Sequence, residues 1–301
     1  MYAIIGATGN IGSKTADILL TKGEKVRVIG RSAAGLQRFV DKGAEAAVGD
    51  LKEEAFVARA FTGATAVFAM IPPDYTARDF RAYQNEIGAN IASGIRNSGI
   101  KYVVNLSSQG ADLAEGTGPI LGLRDQEERL NRLEGINVLH LRPTYFMENL
   151  LMNIPLINQM GIAGSAVHGE RKFAMIATRD IAACVAERLV KRDFAGKKVQ
   201  DLLGQRDLSL NEAIAVIGRK IGMPDLLYVQ FSYEDAAQGM AKMGIGADAA
   251  RLFIEMSKAL NDRLFAANRP RTAENTTLTS IEEFAGTFAQ AYAASTLRKA
   301  A

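Results

Sequence analysis

The sequence predicts an α/β protein: a doubly wound parallel sheet followed by a smaller, mostly helical C-terminal lobe. Three observations predict it. Residues 1–150 alternate short β-branched runs with amphipathic stretches, a glycine-spaced turn stands directly behind the first run, and the rhythm loosens after "LRPTYFMENLL". Apolar strands alternating with helices belong to a parallel sheet covered on both faces, and right-handed crossovers make that sheet doubly wound.

Strands are expected at "YAIIG", "KVRVIG", "AEAAVG", "TAVFAMI", "KYVVNLS" and "NVLHLRP". The stretches "IGSKTADILLTKG", "AAGLQRFVDKG", "EEAFVARAFTG" and "FRAYQNEIGANIASGIRNSG" carry helical periodicity between them. Several close on glycine, which takes a left-handed helix cap without strain. Further on, "SAVHGERKFAMIATRDIAACVAERLV" reads as an extended segment and then a helix beginning near Thr178 or Asp180. Ser209 with Glu212, and Ser280 with Glu283, have the spacing of capping boxes. Between them lie "LYVQFS" and helical stretches at 233–243 and 247–264.

Composition narrows the function. The 301 residues are 48% hydrophobic and 23% charged, with 36 basic against 33 acidic side chains. That balance lacks the concentrated basic face of a nucleic-acid binder. A single cysteine, Cys184, allows no disulfide within the chain and fits a reducing compartment. No apolar run approaches the ~20 residues of a membrane helix, and Met1 runs straight into the first strand, leaving no room for a signal peptide. The expected setting is the cytoplasm, away from membranes.

The opening "YAIIGATGNIG" places Gly6, Gly9 and Gly12 between a strand and a helix, the context of a dinucleotide fingerprint. Gly6 allows the tight turn, Gly9 admits a pyrophosphate, and Gly12 lets the helix pack on the strand. The phosphates are expected on Gly6, Thr8, Gly9, Asn10, Ile11 and Gly12, where backbone N–H groups and the positive helix end favour anions. The second strand ends "VRVIGRS": Arg31 attracts a 2′-phosphate, and no acid stands beside it to repel one. NADP(H) is therefore expected over NAD(H). Asp50 either accepts from the adenine amino group or caps the next helix. Pro72 and Pro73 stop the fourth strand, leaving Met70, Ile71 and Pro72 to line the cofactor cleft. The expected division is a dinucleotide-binding domain at 1–150 and a substrate or partner lobe at 151–301, with about 173–204 returning to the sheet.

The motifs "GATGNIG", "GD" after the third strand, "SS" after the fifth and "LRPTYFMENLL" after the sixth resemble the NmrA-like family. These are atypical short-chain dehydrogenase/reductases of the Rossmann type, related to quinone and triphenylmethane reductases. The resemblance spans nearly the whole chain and is strongest through residue 150. It implies NADP(H) at the glycine turn. Some members reduce quinoid or dye-like compounds, while others bind the cofactor as regulators without turning it over.

The wider superfamily places a tyrosine four residues before a lysine, as the acid that protonates a carbonyl. None of the eight tyrosines here has lysine at that spacing. Where the pair would fall stands "GLRDQEERLN", with Arg124, Asp125, Gln126 and Glu127. Ketone reduction, epimerisation and dehydration of the usual kind are not expected, and no catalytic residue is assigned. Quinones and other conjugated acceptors remain, since positioning alone supplies much of their rate. The alternative is a redox-sensing regulator that binds NADP(H) and acts through a protein partner.

Ser107 and Ser108 are expected over the nicotinamide, as ligand contacts or as loop hydroxyls. Pro143, Tyr145, Phe146 and Met147 form either an apolar wall for a flat acceptor or plain core. His140 reads as a satisfied interior histidine, His168 as a solvated loop residue, and Cys184 as helix packing. Two distant histidines and one cysteine make no metal site.

Overall fold

The computed structural model describes residues 1–265 and 270–300. They form two compact units, one of 1–142 with 181–201 and one of 143–180 with 202–301. Among the described residues, no helix is long and apolar enough to cross a membrane.

The first unit alternates strand and helix: β1 Tyr2–Ile5, α1 Asn10–Thr21, β2 Val26–Gly30, α2 Ala33–Val40, β3 Glu45–Val48, α3 Glu54–Phe61, β4 Ala66–Ala69, α4 Phe80–Ser98, β5 Tyr102–Leu106, α5 Ile120–Asn131 and β6 Asn137–Pro143. After a stretch in the second unit, the chain supplies most of α7 Thr178–Lys191 and β10 Lys197–Leu202. The sheet order is β10-β6-β5-β4-β1-β2-β3, and the pairings from β6 to β3 are parallel. This is a Rossmann-type doubly wound sheet.

Its strands form because β-branched residues face helices on both sides. Ile5, Val67, Val103 and Val138 pack in one core with Val57, Phe61, Ile91 and Ile95 of α3 and α4. Each fully buried side chain of this kind contributes about 1.5–3 kcal/mol. Helix α4 starts where the Asp79 carboxylate accepts from Ala82 N at 2.8 Å and stops at Gly99, whose φ of +74° ends the helical turn. Strand β3 departs from the two-sided burial that the sequence suggests: it is outermost in the sheet, and Val48 is 46% exposed.

The second unit contains β7 Tyr145–Phe146, a 3-10 segment Met147–Asn153, α6 Ile154–Met160, β8 Ile162–Ser165, β9 Phe173–Ile176, β11 Asp207–Leu208, α8 Leu210–Lys220, β12 Leu227–Gln230, α9 Tyr233–Lys242, α10 Ala247–Asn261 and α11 Ile281–Ala300. Its short strands make a three-stranded sheet, β11-β9-β7, and a parallel pair, β12-β8. Met147, Leu150, Met175, Ile214, Ile217, Phe284 and Phe288 form its core. Ser209 caps α8 in a full capping box with Glu212. Ser280 and Glu283 exchange the same bonds, at 3.1 and 2.9 Å, at the start of α11. The lobe is thus helical in bulk, with strands too short and too spaced to read from alternation.

Candidate functional site

The strand order reverses at β1, which has β2 on one side and β4 on the other. A doubly wound sheet opens a crevice beyond the carboxyl ends of such strands. The glycine turn follows β1 there, and Met70, Ile71 and Pro72 follow β4. Gly6 has φ +70°, and a Cβ on it would lie 2.4 Å from Met70 Sδ. The turn and the β4 end therefore touch. A Cβ on Gly12 would sit 2.3 Å from Gly6 O and 2.9 Å from Ile5 O, so α1 packs against bare backbone.

Gly9 differs from both. Its φ of −94° and ψ of 177° are extended backbone that any residue adopts, and a Cβ there would meet only Gly6 O, at 3.3 Å. Gly9 is also the N-cap of α1, with no side-chain cap. Thr8, Gly9 and Asn10 are exposed, while Ile11 is buried under them. First-turn N–H groups without a side-chain cap, beside an exposed glycine, make a cradle that fits a pyrophosphate.

At the end of β2, Arg31 is exposed and Ser32 caps α2 by accepting from Gly35 N at 3.3 Å. Gly49 N donates to Gly30 O at 3.1 Å, so the ends of β2 and β3 run side by side. Asp50 does not cap α3, whose N-cap is Glu53; its carboxylate instead accepts from Lys52 N at 3.0 Å. Helix α4 holds this region from below. Asn90 donates to the carbonyls of Leu51 and Lys52, both at 2.9 Å, and Tyr83 donates to Pro72 O at 2.9 Å.

At the end of β5, Ser107 is buried and Ser108 is half-buried, its hydroxyl donating to Gln109 O at 3.0 Å. Glu127, one of the residues standing where the tyrosine–lysine pair would fall, has a buried partner that the sequence alone does not show. Glu127 of α5 receives two bonds from Arg142 of β6, at 2.8 and 2.6 Å, with both side chains buried. Burial alone raises the Glu127 pKa, but the Arg142 and Ser107 side chains beside it outweigh that and hold it below the usual carboxylate range. Next to them, His140 is bracketed by Asn105 at 3.1 Å and Asn131 at 3.0 Å. Burial pushes its pKa down to about 4.

In the second unit, Pro143 and Met147 are buried, and Tyr145 and Phe146 are partly so. The Tyr145 ring packs edge-on against Phe173 at 5.3 Å, and burial holds its phenol well above its ordinary pKa. Exposed His168 meets Gln230 at 2.9 Å. Cys184 is half-buried, with burial raising its thiol to about 11.

The model of the NmrA-like family matches residues 2–285. The chain belongs to the NmrA-like family. Among curated proteins this NmrA-like chain is 29% identical over 260 residues to the NAD(P)H azoreductase of Xenophilus azovorans, covering 85% of this chain and 86% of that one. It is 26% identical over 265 residues to an uncharacterized oxidoreductase of Bacillus subtilis (strain 168), covering 86% and 84%. Its fold is similar to the NADPH-dependent quinone oxidoreductase of Escherichia coli complexed with NADPH, at TM-score 0.72, 22% identity and 95% and 99% coverage. It is likewise similar to the Citrobacter sp. triphenylmethane reductase complexed with NADP(H), at TM-score 0.76, 18% identity and 96% and 100% coverage.

The burial of Glu127 has a signal in the sequence. In "ILGLRDQEERLN" it stands seven residues after Ile120 and three before Leu130, on the apolar stripe of the helix. A carboxylate in that position needs a buried partner.

Proposed function

We propose that this chain is an NADPH-dependent oxidoreductase that passes hydride to a quinone-like or other conjugated acceptor without help from a protein acid. The observation that carries the reading is the glycine cradle at the β1/β4 switch, where Gly9 is demanded by neither backbone conformation nor packing. A bound nicotinamide cofactor supplies hydride. Arg31, at the end of β2, supports NADP(H), because a guanidinium attracts a 2′-phosphate. Met70, Ile71 and Pro72 line the cleft beside the turn, and Ser107 and Ser108 face the nicotinamide end.

Two features support an acceptor that needs no acid. Glu127 stands where the tyrosine pair would fall, and a carboxyl held below its usual range is ionised at neutral pH and has no proton to give. Its partner Arg142 is held protonated by the same bonds. The azoreductase is by name an enzyme of azo compounds, a class of conjugated acceptors distinct from simple ketones. Pro143, Tyr145, Phe146 and Met147 are the residues proposed to face the acceptor.

The test is NADPH consumption with simple quinones, an azo dye and aliphatic ketones. Turnover is expected with the first two and not the third. Tyr145→Phe should stay within a small factor of the parent, since loss of a true general acid costs ~10²–10⁴-fold. Ketone turnover, or collapse of quinone turnover in that variant, would reveal a proton donor and overturn the reading. Tight NADPH binding with no turnover of any acceptor would favour the regulator that acts through a protein partner.

A further inference from the structure

Helix α4 packs so closely on α3 that one of its side chains reaches the loop leading into that helix. Gly94 makes the approach possible: a Cβ on it would stand 2.6 Å from Val57 Cγ1 and 3.1 Å from Phe61 Cδ2. Beside it, the Ser93 hydroxyl donates to the Glu54 carboxylate in the first turn of α3. Asn90 stands one turn before Gly94 on the same face of α4. Its Nδ2 donates to Leu51 O and to Lys52 O, both at 2.9 Å. Both partners are carbonyls, so the amide must turn its nitrogen to them. One short side chain thus holds two successive peptides of the loop between β3 and α3. Within that loop, the Asp50 carboxylate accepts from Lys52 N at 3.0 Å, and Glu53 N donates to Asp50 O at 3.1 Å. Its near end is fixed on β2, where Gly49 N donates to Gly30 O at 3.1 Å. The Asp50 side chain is therefore tied to the same peptides that Asn90 holds.

We propose that Asn90 is a positioning residue for the adenine of the cofactor: by holding the peptides at 51 and 52, it fixes the Asp50 carboxylate where the adenine 6-amino group meets it. The inference rests on the proposed cofactor site and on Asp50 as the acceptor within it. Glu53, not Asp50, is the N-cap of α3. An ionised carboxylate accepts at about four lone-pair sites, so the bond from Lys52 N leaves Asp50 capacity for a further donor. Asn90 acts through the loop rather than on the nucleotide. Without its two donors the loop takes several arrangements, and binding must order it again. That cost falls on the contact to the base, because the phosphates rest on a different turn.

The full-length protein, titrated calorimetrically with NADPH and with its hypoxanthine analogue, tests it. The analogue keeps the riboses, phosphates and nicotinamide but carries an oxygen in place of the 6-amino group, so it offers Asp50 no donor there. The parent should bind NADPH at least ~10-fold more tightly than the analogue, the worth of one hydrogen bond to a charged group. In Asn90→Ala that ratio should fall below ~3-fold through weaker NADPH binding, while the analogue changes less than ~2-fold. A purely structural loss would weaken both ligands alike and keep the ratio. Alanine and leucine are both good helix formers, so α4 is retained. Asn90→Leu, which keeps the side chain's bulk, should give the same collapse of the ratio and serves where the alanine variant melts too low. A parental ratio retained in the variants, or an equal loss for both ligands, would overturn the inference. Asp50→Ala separates it from its premises. If that variant erases a preference that the Asn90 variants keep, only the role of Asn90 fails. If the parent binds both ligands equally, Asp50 is not the acceptor and the inference falls with it. If the parent binds neither, the proposed cofactor site itself fails.

Discussion

Gly9→Ala separates ligand binding from folding at the glycine turn. In the free protein the new methyl would meet one heavy atom, Gly6 O at 3.3 Å, and the extended backbone suits alanine. Alanine is a poorer N-cap than glycine by roughly 0.5–1 kcal/mol. Against this, a stiffer unfolded chain returns about 0.4–1 kcal/mol. The two nearly cancel, so the melting temperature should move by no more than about 2–4 °C. Binding is another matter. If pyrophosphate oxygens rest on this turn, the methyl displaces at least one charge-assisted hydrogen bond, worth about 1.5–3 kcal/mol. NADPH should then bind ~10- to 150-fold more weakly. Gly12→Ala is the contrast. Its methyl would fall 2.3 Å from Gly6 O, 2.6 Å from Gly6 C and 2.9 Å from Ile5 O, all backbone that must shift. Overpacking of that kind costs about 1–3 kcal/mol, of which improved helix propensity returns about 1. Gly12→Ala should lower the melting temperature, while Gly9→Ala should leave it. Calorimetric titration beside thermal melts decides the matter. Normal NADPH binding by Gly9→Ala would refute the phosphate placement, and an unshifted melt for Gly12→Ala would refute the packing argument.

Two further outcomes concern the buried polar group at the ends of β5 and β6. His140 is held neutral by burial, its pKa lowered from the ordinary 6.5 to about 4, so its stabilisation is complete above pH 6.5 and drains away as pH falls towards 4. Denaturant melts at pH 7 and 4.5 should differ by about 2–3 kcal/mol more in the parent than in His140→Gln; equal slopes would contradict a buried neutral ring. Glu127→Gln should cost roughly 3 kcal/mol, because Arg142 loses its closest buried carboxylate and keeps the more distant Asp112, at 3.5 Å. The paired change Glu127→Leu with Arg142→Met should recover most of that loss in urea unfolding, and an additive loss would argue against a coupled pair.

Much of the fold was legible because its signals are local. Six strand runs, their intervening helices and two capping boxes each need only a dozen neighbouring residues to declare themselves. The two-residue strands β7 and β11 do not, because pairing partners far along the chain decide whether so short a run is extended. The same distinction divides the site. Gly6, with its positive φ, and Gly12, against the β1 backbone, answer to constraints within the turn itself. Glu127 and Arg142 lie on different elements, so the pattern shows that Glu127 is buried but not what neutralises it.

That pair also bears on the proposed reduction without a protein acid. A tyrosine beside a lysine works because the neighbouring positive charge lowers the phenol's pKa towards the working pH, so that the phenol can give its proton to the substrate. Glu127 and Arg142 have the opposite arrangement. The carboxyl is pushed towards ionisation and the guanidinium towards keeping its proton, so each stabilises the charge of the other and neither exchanges a proton near neutral pH. Removing either charge alone would leave the other buried without its partner, so single substitutions towards an acid are costly. Under the proposed function this region would offer a bound substrate a rigid support under Ser107 and the end of β6, not a proton. On the proposed reading, the acceptor is one whose reduced anion forms without an acid and takes its proton from water afterwards, as a hydroquinone anion does far more readily than a simple alkoxide.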